Sequence, residues 1–138
     1  AITQAMCTSF KTEILGGTHD LDTDVIKLAL YTSAATLNAA TTTYSSLNEI
    51  TGTGYSAGGN VLAGAVISAD GTTAIVTFNT TTWSGATFVT RGALIYNSSQ
   101  ADKAIAVIDF GGDQSVTSGD FAVIFPAANA SDAIIRIS

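Results

Sequence analysis

The stretch NVLAGAVISADGTTAIVTFN, residues 60–79, decides the fold class. It sets two apolar, β-branched runs, 60–68 and 73–79, on either side of Asp70-Gly71, a dipeptide that favours the tight turn of a β-hairpin. Working outward, the same pattern recurs. Residues 25–32 (VIKLALYT) form the first clear strand, and 87–97 (TFVTRGALIYN) form a long one. A bend is expected at Gly92, because glycine inside a strand often marks a bulge. Residues 104–110, 121–125 and 133–137 complete the set, with a short strand near 49–51. Gly111-Gly112-Asp113 and Ser118-Gly119-Asp120 read as turns between strands, and Pro126 falls just past a strand end, where a missing N–H does little harm. Short strands at such regular spacing predict an all-β protein, a single β-sandwich or jelly-roll-like domain.

The N-terminus departs from this pattern. Ala5, Met6, Phe10 and Ile14 recur at helical spacing, and Gly16-Gly17 supplies a stop, so 1–17 is expected to be a short helix or helical arm. Residues 36–59 are rich in Thr, Ser, Ala and Gly and read as a long surface excursion. With no internal repeat, linker or charge run, 1–138 is expected to be one domain carrying these two features.

Composition narrows the function classes. Apolar residues make up 46% and charged residues 12%, about half the globular average of roughly 25%. The net charge is −6, with Lys11, Lys27, Lys103, Arg91 and Arg136 as the basic residues. Five scattered cations do not build the basic footprint that nucleic-acid binding requires. No apolar run is long enough to cross a bilayer as a helix, and no secretory signal pattern opens the chain, so a soluble protein made in the cytoplasm is expected. A single cysteine excludes an intramolecular disulfide, and one Cys with one His does not complete a zinc site.

Motifs that carry chemistry elsewhere are weak here. His19 lies beside Asp20 and is expected to be a solvated turn residue, which leaves no base for a catalytic triad. Cys7 is expected to be a buried small hydrophobe. Asp20, Asp22 and Asp24 have the alternating spacing that opens a calcium loop, but a loop begun at Asp20 places Tyr31 where a bidentate Glu is needed. Gly52-Thr53-Gly54-Tyr55-Ser56-Ala57-Gly58-Gly59 resembles a nucleotide-binding turn, yet a strand pattern and not a helix follows it. Asn79, Asn97 and Asn129 head Asn-x-Ser/Thr triplets that a Thr/Ser-rich chain produces by chance. Trp83 is expected in the core or at a subunit contact. Tyr44, Tyr55 and Trp83 supply only a thin aromatic set for a glycan. No catalytic, cofactor-binding or metal-binding residue is assigned, no cofactor is called for, and no enzymatic activity is expected.

Several segments together resemble a known group. CTSFKTEILGGTHD (7–20), KLALYTSAATL (27–37), EITGTGYSAGG (49–59), RGALIYN (91–97) and DFGGD (109–113) are similar, in order along nearly the whole chain, to small structural proteins of tailed-bacteriophage virions. That group includes capsid cement or decoration proteins as well as neck and tail components, and it carries no catalytic residues. The resemblance implies a location in the virion, made in the host bacterial cytoplasm, with the major capsid protein or other virion proteins as partners. A glycan- or receptor-binding module on the virion is the alternative from a different class. The low charge suits packing against copies of itself, so a homo-oligomer is expected, with contacts through the N-terminal arm and residues 44–59. The resemblance favours a trimer, since cement proteins often occupy threefold positions.

Overall fold

The computed structural model describes residues 1–138 and shows an all-β protein of two antiparallel sheets with one short helix. The elements are β1 (Ala5–Met6), α1 (Thr8–Leu15), β2 (Ile26–Tyr31), β3 (Asn60–Val61), β4 (Val66–Asp70), β5 (Thr73–Thr77), β6 (Thr81–Asn97), β7 (Lys103–Val123) and β8 (Ile135–Ile137). The larger sheet has the order β1-β7-β6-β2-β3 and the smaller one β4-β5-β8. A contiguous core of 28 buried residues draws on both sheets and on Phe10 of α1.

The β4–β5 hairpin matches the sequence expectation. Asp70 pairs with Thr73, which leaves Gly71 and Thr72 as the two central turn residues, and Gly71 takes φ +61. A side chain there would be strained, which is why the turn falls on glycine. Residues 60–68, expected as one strand, divide in two. Asn60–Val61 pairs with β2 in the larger sheet, and Val66–Asp70 pairs with β5 in the smaller one. Between them the chain turns a corner at Gly64, φ +67, packed so tightly on Asn79 that a Cβ would lie 2.3 Å from its side chain.

The two longest strands show a second difference. Residues 104–110 and 121–123, the latter from an expected strand 121–125, belong to one 21-residue β7 that pairs along a 17-residue β6, and residues 124–125 lie beyond its end. The two expected turns are bulges within this ladder. Thr90 pairs with Gln114 and Gly92 with Asp109, so residues 110–113 stand opposite Arg91 alone. Near Ser118, φ +46, β7 carries one extra residue, and near Gly85, φ +57, β6 carries one that restores the register. Such bulges bend and twist a ribbon.

The N-terminal arm is bound into the fold. The helical pattern begins at Thr8, and Ala5 and Met6 pair with Val107 and Ala106 of β7. Ile2, Cys7 and Phe10 are buried within this one chain, so a contact to another copy could use only the outer side of the arm, where Leu15 is exposed. Residues 36–59 are likewise stitched down. Ile50 N donates to Leu30 O, Tyr44 N to Asp102 O, Ala104 N to Thr42 O and Thr87 N to Thr53 O. The strand expected near 49–51 is a single bridge between Glu49 and Tyr31.

Candidate functional site

Two polar clusters and one outer face emerge from this arrangement. The first cluster gathers all four tyrosines of the chain around Glu49. Tyr31 ends β2, Tyr96 lies near the end of β6, and Tyr44 and Tyr55 come from the 36–59 excursion. The Tyr44 hydroxyl donates to Glu49 Oε1 at 2.5 Å, and Gly58 N donates to Oε2 at 2.7 Å. Tyr55 OH donates to the same Oε2 while accepting Leu30 N at 3.0 Å. Tyr96 OH donates to Gly58 O at 2.7 Å, Tyr31 OH to Ser45 O at 2.7 Å, and the Tyr44 and Tyr96 rings stack at 4.7 Å. Burial pushes the Tyr96 hydroxyl up to about 12, helped by the Asp102 and Glu49 charges, and raises Tyr31, Tyr44 and Tyr55 further. The four phenols therefore stay protonated and act as donors. Tyr44, Tyr55 and Gly58 N–H between them engage both oxygens of Glu49, and the role of this carboxylate is to hold the excursion against β2 and β6.

The second cluster overturns the expectation of a solvated histidine. The His19 side chain is fully buried, 5.0 Å from the Phe10 ring. Buried Asn97 donates through Nδ2 to His19 Nδ1 at 3.0 Å and to Asp24 Oδ2 at 2.8 Å. With Nδ1 accepting, the ring proton sits on Nε2 and is donated to Glu13 Oε1 at 3.0 Å, while Glu13 Oε2 lies 3.9 Å from Lys103 Nζ. No hydroxyl or thiol is bonded to the ring, so the histidine braces α1 against the β6–β7 turn. Asn97, a triplet Asn, is consumed by this network.

Two of the three aspartates, Asp20 and Asp24, are committed to their own turn. Asp20 Oδ1 accepts the Asp22 and Thr23 amides, and Asp24 Oδ2 accepts the Asp20 amide as well as Asn97. No three His, Cys, Asp or Glu side chains converge on a point that would hold an ion. The Asn97 bond, and next the Asp20 amide, hold the Asp24 carboxyl below its ordinary value of 3.8. Its ionised form thus favours the folded state at all higher pH, and that contribution disappears as pH falls through the folded-state value. Melting temperatures of the wild type and Asp24→Asn should differ near neutrality and converge in acid below about pH 3.8. A gap that persists unchanged through the acid limb would contradict this role.

Cys7 is buried, as expected, and burial, with the nearby Glu13 charge, pushes its thiol from 9.0 to about 11. Iodoacetamide at pH 8 should label it at least ~100-fold more slowly in buffer than in denaturant. Comparable rates in the two solvents would remove Cys7 from the core. Trp83 also lies in the core, between Tyr55 and Phe121, with its indole N–H unpaired. The glycine-rich run 52–59 packs its backbone onto β2 and β6 and leads into a strand.

No family model, curated protein or solved structure matches the chain. Several large apolar side chains are exposed, among them Leu15 at 89%, Ile124 at 76%, Leu47 at 74%, Ile67 at 54% and Ile137 at 44%. Every residue of edge strand β4 is exposed. Sequence reading missed these exposed positions because all but Leu47 lie in segments that read as core strand or helix.

Proposed function

We propose that the chain is a structural protein of a tailed-bacteriophage particle, a cement or decoration protein that binds the icosahedral head and stabilises it. Its partners in this reading are the major capsid protein and further copies of itself. It acts by binding and carries out no chemistry. The observation that carries the proposal is where the polar chemistry goes. His19, Glu49, Cys7 and the four tyrosines are spent inside the fold, while large apolar side chains stand outside it on a surface poor in charge. Exposed apolar groups of this kind mark contacts with other macromolecules. The five segments similar to phage virion proteins supply the particle. Tyr44 and Tyr55 turn inward to Glu49, which disfavours the glycan-binding alternative.

A protein that binds only the assembled shell stabilises it by mass action, and many weak contacts combine if each unit bridges neighbouring capsomers. Purified protein added to heads that lack it should co-sediment with them and raise their melting temperature. Heads that neither bind the protein nor gain stability would refute the cement role.

A further inference from the structure

The face formed by α1, β8 and β4 carries opposite charge at its two ends. Two depressions, of about 390 and 320 Å³, meet on it and share Ile14 and Ile137. Ile14 and Ile137 line both depressions and form its apolar middle, and exposed Ile67 and Leu15 extend it into the first and second depression respectively. At one end the first depression is bordered by Asp20, with Asp22 two residues on in the same turn; both are exposed and neither is in an ion pair. At the other end lie Lys11 and Arg136, exposed and also without a carboxylate partner; Arg136 donates only to the Ser131 carbonyl. Among the remaining cations, Arg91 is bonded to Asp109 and Lys103 pairs with Glu13, while Lys27 lies on β2. Two unpaired cations thus stand at one end of an apolar face on a chain of net charge −6.

We infer that this face is a contact between two copies of the chain related by a twofold axis through its apolar middle. A twofold axis that crosses the face between its two ends turns it end for end. The Asp20–Asp22 end of each copy then lies over the Lys11–Arg136 end of the other, and Leu15 and Ile137 are buried at the centre. A parallel arrangement would set like charge on like charge at both ends. The charge pattern thereby selects the partner, a second copy, and its orientation. The inference rests on the self-association included in the proposed function and gives it a place and a symmetry.

Charge reversal tests it. Sedimentation at low salt should give the wild type twice the 14.0 kDa chain mass. Lys11→Glu with Arg136→Glu makes both ends acidic. Asp20→Asn with Asp22→Lys makes the acidic end basic, and the side-chain amide oxygen introduced by the first substitution still accepts the turn N–H groups. Each variant alone should dimerise about tenfold more weakly or worse, and an equimolar mixture should recover the dimer, because opposite ends meet again at both contacts. Leu15→Glu, at an exposed position, should abolish dimerisation in every background, and circular dichroism should show all variants folded. A wild-type monomer would overturn both this contact and self-association. A trimer, or a dimer indifferent to these substitutions, would overturn the contact and leave self-association standing.

Discussion

The Gly59→Ala variant is expected to lose about 4 kcal/mol or more of stability, enough to unfold a marginal domain. Gly59 adopts φ +78, where an L side chain is strained by about 1–2 kcal/mol. The larger effect is steric. A Cβ at this position would lie 1.8 Å from the Leu28 carbonyl oxygen, 2.6 Å from its carbon and 2.8 Å from Ala29 Cα. All three are backbone atoms of β2, and Leu28 and Ala29 are completely buried between β3 and β6. No side chain can rotate away, so β2 itself would have to move. Gly71→Ala is the matched control. Its φ is +61 but a Cβ there meets no atom within 4 Å, so only the backbone strain remains, about 1–2 kcal/mol. Urea denaturation of the two variants decides the matter, and equal midpoints would show that the 52–59 run is not seated on β2 as described.

Glu49→Ala is expected to cost about 3 kcal/mol and to loosen residues 36–59 before the rest of the domain. The substitution leaves the Tyr44 and Tyr55 hydroxyls and Gly58 N–H without their acceptor. A hydrogen bond to a charged group contributes about 1.5–3 kcal/mol, and solvent entering beside half-buried Glu49 offsets part of the loss. Glu49→Gln keeps one acceptor oxygen but turns a second donor toward the phenols, so about 2 kcal/mol is expected for it. Limited proteolysis should cut the Ala variant first within 36–59. Cleavage first in the 98–102 turn, with 36–59 intact, would mean that the tyrosine cluster does not hold the excursion.

The sheet-forming segments were readable because their cause is local. Residues 25–32 alternate no polar face and become β2, buried on both sides; 73–79 follow a glycine turn and become β5. What the sequence concealed depends on partners far along the chain. Gly111-Gly112-Asp113 marks a φ > 0 position correctly, but whether the chain reverses there or bulges is decided by β6, which runs opposite without interruption. The division of 60–68 had one local sign, Gly64 inside an apolar run. His19 looked solvated because Asp20 is its neighbour; its burial depends on Asn97, 78 residues away. The tyrosine cluster joins residues 31, 44, 55 and 96, and no spacing announces it. The acid–apolar–basic face is assembled from residues 11–22, 67 and 136–137, so it exists only once α1, β4 and β8 meet.

The most direct measurement is quantitative mass spectrometry of purified phage particles against this chain. A shell protein assembled through contacts repeated over an icosahedral lattice should be present in hundreds of copies per particle, in fixed ratio to the major capsid protein. A dozen copies or fewer would move the protein to the neck or tail, and its absence from purified particles would contradict the account altogether.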